Sequence, residues 1–133
     1  MATLTQAMKD MIAAQLSFLA TADKNGYPQV GPKGTMRVLD DNHLIYNEHT
    51  GKQAWQNVQD THLAVVATVD HPAFKGFRFE GPVEIHQGDE IYEAAKEFAA
   101  AHKLPVPVAA NVIAIEKIYK LDAGPEAGNL IEG

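Results

Sequence analysis

Residues 17–57 constrain the fold most, because short runs of strand-forming residues alternate there with tight turns before a helical run begins. Residues 18–21 form the first run, and the turn after it contains Asn25-Gly26, the dipeptide most typical of a two-residue hairpin loop. The chain returns over residues 28–39, turns again, and continues as a third run over residues 43–47. Strands joined by such short turns predict an antiparallel sheet.

The rest of the chain adds three more predicted strands, over residues 63–69, 76–86 and 111–121. Three helices are expected: one capped by Thr3 or Thr5 and ending near residue 15, one over residues 50–59, and one over residues 89–102. Six strands joined mostly by hairpins, with few helices, predict a six-stranded antiparallel barrel. We expect residues 1–133 to form a single domain, since a chain of this length has no room for a second and no internal repeat is visible.

Composition narrows the classes of function. Acidic residues outnumber basic ones by 17 to 11, the net charge is -6, and the basic residues are scattered, so a nucleic-acid partner is not expected. The chain has no cysteine, and its six histidines show no ligand-type spacing, so we expect no metal site. Neither an export signal nor an apolar run long enough to span a bilayer is seen, which favours a cytoplasmic protein and no membrane partner.

The start of the second predicted helix has the composition of an anion site. Thr50-Gly51-Lys52-Gln53 places a hydroxyl, a glycine and an ammonium where backbone N–H groups lack intrahelical acceptors. Free amides and the positive end of the helix dipole favour a phosphate. Lys52 would sit poorly there without an anion. Thr50 could instead be only the helix N-cap, and Gln53 only a solvated residue.

A second feature lies on the preceding strand, where residues 32–35 read Pro-Lys-Gly-Thr. Gly34 in a strand would let a flat ligand approach the backbone. Lys33 is predicted either to face solvent and protect a sheet edge or to stabilise an anionic ring. The Thr35 hydroxyl could bond to a ligand or to a neighbouring strand. A phosphate site beside a bare strand predicts a phosphorylated planar cofactor, such as flavin mononucleotide (FMN).

Four segments, residues 18–28, 31–41, 50–58 and 76–81, together resemble the FMN-binding split-barrel family related to pyridoxamine 5'-phosphate oxidase. The resemblance implies a homodimer with FMN at the interface, its ring on the strand at residues 31–41 and its phosphate near Lys52. The residues expected to bind the cofactor are Pro32, Lys33, Gly34, Thr35, Asn47, Thr50, Gly51, Lys52 and Gln53.

The family implies a flavin-dependent oxidoreductase that takes hydride from NAD(P)H or a small organic donor, with no catalytic side chain required. The true oxidase has a C-terminal segment with arginine and histidine that grips its substrate, and residues 122–133 do not match it. We therefore do not expect vitamin B6 activity. The alternatives are an FMN-binding or electron-transfer protein without turnover, or a barrel that holds haem or a deazaflavin instead.

Overall fold

A computed structural model describes all of residues 1–133. It contains three helices, α1 to α3, and nine strands, β1 to β9. In chain order these are α1 Gln6–Ala14, β1 Ser17–Ala22, β2 Pro28–Lys33, β3 Arg37–Asp40, β4 His43–Glu48, α2 Gln53–Thr61, β5 Leu63–Asp70, β6 Lys75–His86, α3 Glu90–Ala101, β7 Ala109–Ala114, β8 Lys117–Lys120 and β9 Leu130–Glu132. The predicted fold class, an antiparallel split barrel with flanking helices, is confirmed, with nine strands where six were predicted.

The strands form one bent antiparallel sheet in the order β2-β1-β5-β6-β7-β4-β3, with β8 and β9 branching from β6. The terminal strands β2 and β3 do not pair with each other, so the barrel is split between them. The split also explains why one predicted strand is two strands in the structure. Residues 28–39 were predicted as one strand, but a turn at residues 34–36, closed by the Met36 N–H donating to the Lys33 carbonyl (3.1 Å), divides them. The alternating pattern could not reveal that the two halves pair with β1 and β4, at opposite ends of the sheet.

The long strand β6 changes partner midway. Residues 77–80 pair with β8, and residues 83–86 pair with β7. Gly81 lies at the crossing, where an added Cβ would come within 1.7 Å of the Ala114 carbonyl oxygen, so no other residue fits. The same crossing divides the predicted strand 111–121 into β7 and β8. Pro82, which lacks the N–H needed for a regular ladder, falls at the change of partner and not at a sheet edge.

The main core lies inside the bent sheet. Met8 and Ile12 of α1 and Val58 of α2 pack there against inward side chains such as Leu44 and Phe79. The third helix instead covers the outer face of β4 and β7, where Ala95 packs against Ile45 and Val112. Strand β4 is therefore buried on both faces, whereas β2 is exposed along most of its length. None of the three helices has the length and apolar composition that a membrane span requires.

Candidate functional site

Helix α2 begins without the cap that the other two helices have. Its first residue is Gln53, and its N-cap position is held by Lys52, which makes no capping hydrogen bond. The predicted start at Thr50 is therefore wrong by three residues, and Thr50 is not the N-cap. The backbone N–H groups of residues 53–55 have no acceptor in the chain. Three free donors beside a lysine at the positive end of a helix dipole form an anion-binding arrangement.

A cleft of about 180 Å³, termed here the α2 cleft, opens at this helix start. Leu19 and Thr21 of β1 line one side, residues 31–33 of β2 line another, and Thr50 and Lys52-Gln53 line the end. The structure thus brings five of the predicted cofactor-binding residues together around one cleft: Pro32, Lys33, Thr50, Lys52 and Gln53.

Below Thr50 and Gly51 lies a carboxylate that the sequence analysis did not single out. Glu48 is fully buried, and its Oε2 accepts hydrogen bonds from the Gly51 N–H (3.1 Å) and the Thr50 hydroxyl (3.3 Å). Gly51 has φ = +65°, a left-handed conformation that favours glycine and turns its amide toward Glu48. Two donors that were predicted to bind phosphate are therefore held by an internal anion.

Lys33 bends inward and does not face solvent. Its side chain is only 15% exposed, and its Nζ lies 3.7 Å from Glu48 Oε1. The same ammonium lies 5.6 Å from the centre of the Tyr46 ring. The solvent-facing alternative for Lys33 is therefore wrong. Because Lys33 also lines the α2 cleft, its charge acts on both Glu48 and any ligand bound there.

The remaining predicted residues lie outside the lining of the α2 cleft. The Thr35 hydroxyl accepts from the Asn47 N–H (3.0 Å) and lies 3.4 Å from the Asn47 carbonyl, so it attaches the turn between β2 and β3 to β4. The Asn47 side chain donates to the Ala95 carbonyl of α3 and accepts from Arg37. Of the two options for Thr35, the bond to a neighbouring strand is the one found. Gly34 has open space around its Cα, so its backbone stays accessible.

A small polar network fixes the first turn of α2 to β1. The Gln53 side-chain amide donates to Asn57 Oδ1 (2.7 Å), and the buried Asn57 amide donates to Thr21 Oγ1 (3.1 Å). The network holds the wall of the cleft at a fixed position. Neither Asn57 nor Thr21 was identified from sequence, because nothing in a local pattern shows that residues 36 positions apart meet.

His49 follows β4 in the loop that leads to α2 and is partly buried. Both of its ring nitrogens are buried without a hydrogen-bond partner. Burial, and secondarily the positive charge of Lys33, lowers the pKa of His49.

The inward position of Glu48 could have been read from sequence, because Leu44, Tyr46 and Glu48 alternate along one strand face. The carboxylate at the end of that pattern was the available signal.

Comparison with known proteins agrees with this architecture. Residues 4–122 match the family model for pyridoxamine 5'-phosphate oxidase. HupZ of Group A Streptococcus is 42% identical, with a TM-score of 0.86 over 94% of this chain and 99% of that one. A candidate pyridoxamine 5'-phosphate oxidase from Lactobacillus delbrueckii is 34% identical, with a TM-score of 0.76 over 88% of this chain and 93% of that one.

A third protein agrees in fold alone. An FMN-binding protein from Syntrophomonas wolfei is 18% identical and has a TM-score of 0.72, covering 85% of this chain and 82% of that one. Since the identity is low, the likeness supports the split-barrel architecture and carries no residue-level correspondence.

Proposed function

This chain belongs to the pyridoxamine 5'-phosphate oxidase family, and on that premise we propose that it binds FMN with the phosphate in the α2 cleft. The observation that carries the proposal is the uncapped start of α2, where Lys52 stands beside three free backbone N–H groups. An anion at this point would satisfy the donors and offset the unfavourable placement of a cation at the positive end of the helix dipole.

The residues present fit such a group. The N–H groups of residues 53–55 and the Lys52 ammonium would hold the phosphate, while Lys33 lines the same cleft with its ammonium 3.7 Å from the Glu48 carboxylate. The exposed strand β2, with open space around Gly31 and Gly34, leaves room for a flat ring against the backbone. Bound FMN would supply the hydride or electron acceptor.

None of the side chains that line the cleft is an aspartate, glutamate or histidine. The protein's contribution would therefore be to bind, orient and shield the cofactor and not to transfer protons. We propose a flavin-dependent oxidoreductase that takes hydride from NAD(P)H or a small organic donor. Its rival is an FMN-binding or electron-transfer protein without turnover. Anaerobic addition of NADH or NADPH separates the two. A bound flavin that accepts hydride loses its oxidised absorbance, whereas a flavin that the donor cannot reach keeps it.

We also propose that the protein is a homodimer whose second subunit helps to enclose the cofactor. The outer face of β1, β2 and β5 exposes apolar side chains that a monomer would leave in water, among them Phe18 (44% exposed), Val30 (67%) and Leu63 (58%). The α2 cleft, at about 180 Å³, is smaller than the roughly 300 Å³ at which ligand pockets usually begin. A cofactor there would need additional walls.

Light scattering coupled to size exclusion tests the dimer. We expect a mass of twice the 14.5 kDa of one chain. A monomeric mass at micromolar concentration would contradict this part of the proposal.

The first experiment on the cofactor is the visible absorption spectrum of the purified protein, followed by FMN titration. We expect oxidised-flavin bands, or saturable binding of added FMN. Lys52→Ala should weaken binding by about 1–3 kcal/mol, because a charge-assisted contact is lost. Lys96→Ala on α3 removes the same charge at a position that does not line the cleft, and it should leave the affinity unchanged. A Lys52→Ala protein with unaltered affinity would show that the phosphate lies elsewhere.

A further inference from the structure

Glu48 is a buried carboxylate placed at a site that is otherwise built for anions. Its side chain is fully buried, and it lies directly beneath the loop that forms the end of the α2 cleft. Its Oε2 binds two donors of that loop, while its Oε1 has no hydrogen-bond partner and lies 3.7 Å from Lys33 Nζ. A carboxylate in this position costs desolvation energy and repels an incoming phosphate.

The charges around the cleft show what Glu48 changes. Lys33 and Lys52 are the two cations that line it, and Glu48 neutralises one of them through the 3.7 Å pair with Lys33. The opposing charges therefore leave one net positive charge, carried by Lys52. A phosphate monoester with two negative charges gains much less from such a site than from two free lysines, whereas a ligand without phosphate is hardly affected.

We propose that Glu48 is a specificity-determining residue that limits the preference of the α2 cleft for phosphorylated over unphosphorylated ligands. It does so in two ways. It sequesters the Lys33 ammonium, and it competes for the Gly51 N–H and the Thr50 hydroxyl that a phosphate would otherwise bind. This inference rests on the proposed function, because the ligand pair that reveals it is FMN and riboflavin, which differ only by the phosphate.

The test is the ratio of the FMN affinity to the riboflavin affinity, measured by quenching of flavin fluorescence. Glu48→Gln keeps the shape and one acceptor oxygen but removes the charge. We expect the ratio to rise by about tenfold, mainly through FMN, since a unit charge acts over several ångströms in a partly desolvated site. Glu97→Gln, an exposed position on α3, changes the net charge equally and should leave the ratio unchanged. An unchanged or lower ratio in folded Glu48→Gln would overturn the inference.

A second arm keeps the test informative if Glu48→Gln folds poorly, which a thermal melt would reveal. Lys33→Met should lower the ratio by about tenfold, because it removes the cation and leaves the carboxylate. The double variant Lys33→Met/Glu48→Gln restores one net positive charge, and its ratio should return to within about threefold of the original. A double variant that keeps the low ratio of Lys33→Met would show that Glu48 does not act on the ligand.

The two proposals fail differently. If the unmodified protein binds neither FMN nor riboflavin, the proposed function is wrong and this inference falls with it. If it binds FMN and none of the substitutions moves the ratio, the flavin site stands and only the role of Glu48 is overturned.

Discussion

The three helices differ in how the backbone N–H groups of their first turns are satisfied. Helix α1 is capped by Thr5, whose hydroxyl accepts from the Met8 N–H. Helix α3 is capped by Asp89, which accepts from the Tyr92 N–H, and its first turn carries Glu90 and Glu93. Both have a side-chain cap, and α3 also has acid at the positive end of its dipole, whereas the first turn of α1 contains none. Helix α2 is the one without a side-chain cap, because Lys52 makes no capping hydrogen bond, and its first turn contains no acid either.

The comparison shows where the chain forgoes local stability. A capped helix end is complete without a ligand, whereas the free N–H groups of α2 are satisfied only by water or an external anion. The exception is found at the helix start that lines the α2 cleft together with Lys33. The free N–H groups therefore add to lysine and glycine content as a reason to place the proposed anion site at this helix start.

The largest expected effect comes from giving α2 the cap it lacks. Lys52→Asp places a carboxylate where the phosphate is proposed to bind, so FMN affinity should fall by at least about 100-fold, roughly 3 kcal/mol. Fluorescence titration measures this, with Lys96→Asp as the control for net charge. If Lys52→Asp still binds FMN tightly, the uncapped start of α2 does not bind the phosphate.

Removing the cap of α1 should lower the stability of the protein without changing its FMN affinity. Thr5→Ala deletes the acceptor for the Met8 N–H, and the free energy of unfolding should fall by about 1 kcal/mol. FMN affinity should stay the same, because α1 does not line the cleft. Urea denaturation followed by circular dichroism gives the first quantity and titration the second. A loss of affinity larger than the loss of stability would mean that α1 contributes to the site.

The same Lys52→Asp protein, without flavin, should be more stable than the original. A new acceptor for the first-turn N–H groups and a favourable charge at the positive end of the dipole should raise the free energy of unfolding by roughly 0.5–1 kcal/mol. Urea denaturation of the flavin-free proteins checks it. Equal or lower stability would show that the start of α2 is already satisfied in the free protein.

The smallest expected effect is the pH dependence of the stability that the Asp89 cap provides. The Tyr92 N–H, followed by the His86 side chain, holds the pKa of Asp89 below its usual range. The charged cap therefore stabilises the folded state above the unfolded pKa of about 3.9 and loses this contribution as pH falls through the lower folded value. Asp89→Asn keeps a capping side chain without the charge. Thermal melts should show the two proteins converging as the pH falls below 4, and a constant difference would argue against a charge effect.

Much of the fold could be read from local signals. Asn25-Gly26 and the capping residues Thr5 and Asp89 mark a turn and two helix starts that the structure contains. These signals work because each depends on residues within about four positions of one another. The divided strand at residues 34–36 could not be predicted, because an alternating pattern says nothing about which partner each half pairs with.

Some residues of the candidate site could likewise be identified from the sequence, and others could not. Lys52 and its neighbours were identified from sequence, since a helix start and a nearby cation are local features. The buried pair of Lys33 and Glu48 was not, because two residues fifteen positions apart meet only after β2 and β4 are brought together by the bent sheet. The inward turn of Lys33 follows from that pairing, and it reversed the solvent-facing alternative.

The sequence by itself therefore determined the family, the antiparallel class, the three helices and the presence of Lys52 at the start of α2, because each rests on short-range patterns or on motif order. The tertiary structure alone decided where the barrel splits, which predicted residues share a cleft, and that Glu48 pairs with Lys33 beneath it. These outcomes depend on contacts between distant strands, where burial and charge are set by neighbours that no local pattern identifies.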